Sequence, residues 1–110
     1  MYDYEKEAEH FLGKLYESEV CTKYFEQRER IKQYPELKMQ IDEFRKRNYK
    51  LQNEADSATL FDEIDRFERE YEEFRKNPLV SQYLEAELAF CRMYQSISNM
   101  INVAFAMEVD

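Results

Sequence analysis

The stretch that most constrains this chain runs from Asn77 to Glu108. It opens with Asn-Pro and then contains neither Pro nor Gly. An Asn side-chain oxygen can accept from the orphan N–H groups of a first helical turn, and a Pro at the next position lacks only an N–H that no intrahelical bond would use. A helix is therefore expected to start here and, if helical throughout, to form a rod about 45 Å long. Apolar residues follow at Val80, Tyr83, Leu84, Leu88, Cys91, Tyr94, Ile97, Ile101, Ala104 and Phe105, mostly in steps of three and four. Leu79, Phe90, Met93, Met100 and Val103 widen the stripe. A stripe this wide asks for cover on two sides rather than one.

The rest of the chain reads as helix as well. Tyr4, Ala8, Phe11, Leu12 and Leu15 recur at helical spacing and predict a first helix over about residues 4–16. Gly13 lies inside it, weakens it by about 1 kcal/mol relative to Ala, and is a candidate for close approach of another backbone. Ser18 can cap a second helix carrying Val20, Cys21, Tyr24, Phe25 and Ile31; a single bent helix over 4–33 is the alternative. Tyr34-Pro35 ends this segment, since the residue before Pro is pushed out of the α region. Pro35 then begins a third helix with Leu37, Ile41, Phe44 and Leu51 on one face and Asn48 in the missing step, where it either fixes register or sits at an edge. Leu60, Ile64, Phe67, Tyr71 and Phe74 form a second series about two residues out of phase with the first. That phase shift places a break in Glu54–Thr59, capped by Ser57 or Asp56, with a continuous, stuttered helix as the other option. The fourth helix is expected to end near Lys76.

No period-two alternation and no Asn-Gly or Asp-Gly turn supports a strand. The expected fold is all-α: an antiparallel bundle of about five helices with a long C-terminal one, forming one domain over residues 1–110. The composition fits, with 36% charged and 44% hydrophobic residues, one Gly and two Pro.

Several chemistries are excluded or disfavoured. A single Gly cannot build a phosphate loop or a dinucleotide fingerprint. Two Cys and one His, with Cys21 and Cys91 far apart, do not make a zinc site. Glu7-Ala8-Glu9-His10 holds one Glu-x-x-His, half of what a di-metal carboxylate bundle uses; its plainer reading is an exposed His on a solvated face. Both cysteines fall on helical stripes and are expected to be buried packing residues, without a base to activate them. The basic stretch Arg45-Lys46-Arg47-Asn48-Tyr49-Lys50 could meet nucleic acid through phosphate pairing and stacking. The plainer reading is a solvated face with ion pairs such as Glu43–Arg47 and Glu26–Arg30. The acidic run Asp62, Glu63, Asp65, Glu68, Glu70, Glu72 and Glu73 reads the same way. A net charge of −8 argues against non-specific binding to nucleic acid or anionic membranes. No apolar run is long enough to span a bilayer, and Met1-Tyr2-Asp3-Tyr4-Glu5 has no signal-peptide character, so a cytoplasmic protein with reduced thiols is expected.

The surplus is aromatic: nine Tyr and eight Phe, 15% of the chain, with no Trp. A chain of this length has difficulty burying them all, and Tyr favours places with one dry and one wet end. With the wide C-terminal stripe, this predicts a homo-oligomer, a dimer or higher, or a groove for a partner.

Asn77-Pro78-x-Val80-x-x-Tyr83-x-x-Ala86-Glu87 resembles the signature of the YlbF/YmcA family, the control-of-competence regulators that include YheA-like proteins. Upstream, Ser18, Tyr24, Pro35-Glu36-Leu37, Ile41, Phe44 and Leu51-Gln52 extend the likeness over about residues 4–107. The resemblance implies a small, all-helical, self-associating bacterial cytoplasmic protein. Some members are regulatory adapters in competence, sporulation and biofilm development, acting in a complex that modulates an mRNA-processing endonuclease; others have no assigned role. Certain members bind iron–sulphur clusters through extra cysteines. With only Cys21 and Cys91, this chain lacks those cysteines, and the cluster is not carried over.

Residues and resemblance together lead to a non-enzymatic adapter with no cofactor, no metal and no catalytic residue. Its oligomer or partner seam is expected at Tyr83, Leu84, Leu88, Cys91, Tyr94, Ile97, Ile101 and Phe105, with a second copy or another member of the family as partner. A nucleic-acid-binding regulator using Arg45–Lys50 is the alternative.

Overall fold

The computed structural model describes residues 2–53 and 59–106. They form five helices, and no strand occurs among the described residues. These are α1 (Tyr4–Tyr16), α2 (Glu19–Ile31), α3 (Pro35–Asn53), α4 (Leu60–Phe74) and α5 (Pro78–Ala104). The all-α reading and the long C-terminal helix both hold.

The helix ends follow from local chemistry. Ser18 separates α1 from α2 by using its hydroxyl twice. Oγ donates to the Leu15 carbonyl at 2.6 Å and accepts from the Cys21 N–H at 3.3 Å. One side chain thus serves an orphan acceptor of α1 and an orphan donor of α2. Two helices, not one bent one, occupy this region. Gly13 lies in α1 with open space around it: a Cβ built there meets nothing within 4 Å. The close approach that Gly13 suggested is therefore absent within the described chain. After α2, the N–H groups of Gln33 and Tyr34 turn back to Arg30 and Ile31 before Pro35 starts α3.

The expected break between α3 and α4, with Asp56 and Ser57, lies outside the described residues. On its far side, Thr59 flanks α4 through its carbonyl, which accepts the Glu63 N–H at 3.0 Å, while its side chain makes no cap bond. Asn77 does cap α5, its Oδ1 accepting the Leu79 N–H at 3.0 Å. The helix stops at Ala104, short of the expected Glu108, and Glu108 itself is outside the described residues. Phe105 and Ala106 form a turn in which Ala106 adopts a φ of 52°, the left-handed conformation common after a helix end.

The chain divides into two compact units, one of Met1–Gln27 with Leu84–Asp110 and one of Arg28–Tyr83. In the second unit, Ile31, Ile41, Phe67, Val80 and Tyr83 are buried. There α3 and α4 pack antiparallel through rings. Phe44 stacks on Phe74 at 4.9 Å between centroids and meets Tyr71 at 5.3 Å and Phe67 at 5.8 Å. Arg47, one turn on, lies 5.3 Å from the centroids of both Phe44 and Phe67 and pairs with Glu70 at 2.6 Å. This corrects the expected Glu43–Arg47 pair: the guanidinium reaches across to α4. Likewise Arg30 donates to Gln82 at 2.6 Å, where Glu26 was the expected partner. Asn48 is exposed, which is the edge reading of that position.

Among the described residues of the first unit, only Cys21 and Ala86 are buried. Its organised packing is a ring cluster in which Tyr24 of α2 stacks on Phe90 of α5 at 4.4 Å, with Phe25 at 6.3 Å from Phe90 and 6.0 Å from Tyr16. The core of this unit is thin.

Candidate protein-interaction surface

Two stripes one residue apart run along α5, each stepping by three and four. One comprises Tyr83, Ala86, Phe90, Met93, Ile97, Met100 and Ala104; the other Leu84, Glu87, Cys91, Tyr94, Ser98, Ile101 and Phe105. On a helix such neighbouring stripes are separated by about 100°. The first stripe begins buried at Tyr83 and Ala86, is half-buried at Phe90, Met93 and Ile97, and emerges at Met100, which is 66% exposed. The second is uncovered along most of its length. Leu84 is half-buried, but Cys91, Tyr94, Ile101 and Phe105 are exposed, as is Leu88 beside them. Toward Ala104 the helix is apolar and uncovered on several sides, with Val103 70% and Phe105 74% exposed.

The residues expected at a seam thus divide. Tyr83 is 3% exposed and belongs to the core of the Arg28–Tyr83 unit. Leu84 and Ile97 are half-buried, while Leu88, Cys91, Tyr94, Ile101 and Phe105 are exposed. The expectation that both cysteines are buried is corrected: Cys21 is, and Cys91 faces solvent. The second stripe carries Cys91 away from the ring cluster that Phe90, the preceding residue, joins.

Helix α1, which residue spacing located without saying what its apolar face meets, adds a further part. None of its residues is buried. Tyr4, Phe11, Leu12 and Tyr16 are exposed, and Leu15 alone of the apolar stripe is half-buried. The signal was the same periodicity that identified the helix; periodicity locates an apolar face but not what covers it.

The exposed apolar area is large, and along the second half of α5 it is almost uncharged, whereas α1 carries Glu5, Lys6, Glu7, Glu9 and Lys14. Counting α1 with its flank and α5 from Leu88 onward with the turn after it, eleven large apolar side chains of this unit are exposed. At roughly 150–250 Å² for each aromatic in full, their half-exposed total is on the order of 1,000 Å². A stable interface takes about 800 Å² from each partner, so the two exposed faces together offer the area that one needs. Between Leu88 and Ala104 the only charged side chain is Arg92, so little desolvation opposes covering it.

Groups suited to other chemistry are dispersed. Among the described residues no three His, Cys, Asp or Glu side chains come together as a metal-binding group. The Glu29 carboxyl is held below its ordinary range chiefly by the hydrogen bond from Lys32, and the Lys76 ammonium is raised chiefly by that to Glu73. Both pairs are solvent-facing neighbours in the other unit. Among the described residues no helix is long and apolar enough to cross a membrane.

No curated protein and no solved structure matches this chain. A family model does, over residues 4–105, which takes in all five helices. That span shows the chain to be a member of the YlbF/YmcA family, described as control of competence regulator ComK, and so of a family of regulators.

Proposed function

We propose that this chain is a non-catalytic cytoplasmic adapter that regulates by binding proteins through the exposed apolar faces of α1 and the second half of α5. The first occupant of that surface is a second copy of the chain; other members of the family are candidates for a mixed complex. The observation that carries this reading is that α5 continues, apolar, beyond the residues that cover it. In members of this family that act as adapters in competence, sporulation and biofilm development, the regulated target is an mRNA-processing endonuclease, and the same kind of target is proposed here.

The seam comprises Leu84, Leu88, Cys91, Tyr94, Ile97, Ile101 and Phe105, with Tyr83 left to the core. Leu88 and Ile101 are about half exposed in the single chain, so charged residues there leave its folding largely intact. Leu88→Asp and Ile101→Asp are each expected to reduce the mass measured by light scattering to that of one chain, with the far-ultraviolet helix signal unchanged. An unchanged mass in both variants, or a wild-type protein that is monomeric at high concentration, would rule the reading out. The nucleic-acid alternative is weakened by the net charge of −8, which opposes the approach of a long polyanion.

A further inference from the structure

Between α3 and α4 lies a cleft of about 330 Å³ lined by Arg47, Lys50, Leu51, Glu63 and Arg66. Three of these five side chains are cationic and one is anionic, in a chain whose net charge is −8. The local sign is thus opposite to that of the whole. It arises because Arg47 and Lys50 share a face of α3, and Arg66 is one of the few bases on an otherwise acidic α4. Among the described residues Lys50 and Arg66 form no ion pair. Arg47 is held in place by Glu70 through Nη1 and by the Phe44 and Phe67 rings. A guanidinium has five N–H donors, so one fixed contact leaves capacity for another. Glu63 lines the same cleft and Glu70 offsets Arg47, so the described side chains there keep a small positive excess, and field lines concentrate in such clefts.

We propose that this cleft binds a small phosphate-bearing anion, of the size of a di- or oligophosphate or a nucleotide. Planar guanidinium groups pair with phosphate oxygens bidentately, and a lysine adds a point charge. The volume lies at the lower end of the range for small-molecule sites, about 300–1,000 Å³. Leu51 gives the wall one apolar contact. A small anion feels mainly the nearby cations, whereas a long polyanion also meets the field of the whole acidic chain. The charge distribution therefore favours a small ligand over RNA. Bound there, the anion bridges α3 and α4 across their open side, independently of the apolar surface.

Pyrophosphate and ADP are the probes, titrated by calorimetry and by thermal melting against sodium chloride of equal ionic strength. The wild-type protein is expected to bind both and to melt higher with them than with chloride. The double substitution Lys50→Gln, Arg66→Gln is expected to weaken binding about tenfold or more, as loss of charged hydrogen bonds implies. Its melting point without anion should be unchanged, because both side chains are exposed. The charge-preserving pair Lys50→Arg, Arg66→Lys should keep most of the affinity, which guards against a variant that fails to fold. Absence of binding by the wild type, equal affinity in the double Gln variant, or loss in the charge-preserving pair would each overturn the proposal. So would a single-stranded RNA that binds and is not displaced by pyrophosphate, since that outcome assigns the cleft to nucleic acid. Failure here leaves the light-scattering result untouched, and the reverse also holds.

Discussion

At single positions the helix punctuation was readable because it depends on neighbours in sequence. Asn77 and Ser18 cap the helices that follow them through bonds to backbone N–H groups two and three residues on. Asn77→Ala should cost about 1 kcal/mol of unfolding free energy, measured by urea titration, as loss of a cap does. Gly13→Ala should move the midpoint the other way, by up to about 1 kcal/mol, because the position is helical with open space around it. A destabilised Gly13→Ala would mean that another chain packs closely there. Cys91 was misjudged for a reason of the same scale. It keeps helical step with apolar neighbours, and only the rotation of α5 about its axis decides which of two adjacent stripes faces the cluster of Tyr24 and Phe90.

Between elements, reading from sequence succeeded on phase and failed on partners. The offset between the Ile41–Phe44–Leu51 and Leu60–Phe67–Phe74 series favoured two helices over one stuttered helix, and α3 and α4 do pack against each other through Phe44, Phe67 and Phe74. Arg47 went unassigned to its role because intrahelical spacing offers Glu43 as partner, while Glu70 becomes adjacent only once the two helices fold together. The Arg47–Glu70 pair is nearly half exposed, so Glu70→Gln should lower stability by no more than about 1 kcal/mol. Phe67 is buried among Phe44 and Tyr71, and Phe67→Ala should cost about 3–5 kcal/mol. The contrast between these two unfolding midpoints checks that rings, rather than charges, hold α3 to α4.

For the molecule as a whole, the aromatic surplus foretold exposed apolar surface, but not that α1 would share it. The two proposed binding modes should respond oppositely to salt. Association through the apolar face should persist or strengthen as sodium chloride rises, whereas anion binding in the α3–α4 cleft should weaken, because screening acts on exposed charges. The bare end of α5 has a further consequence. A helix terminus that only a companion molecule shields is most open to proteases when the protein is dilute. Abundance would then regulate lifetime, with scarce copies cleared and plentiful ones shielding each other. Cleavage near Met100–Phe105 in a dilution series should accelerate as concentration falls, and Ile101→Asp should make it fast at every concentration.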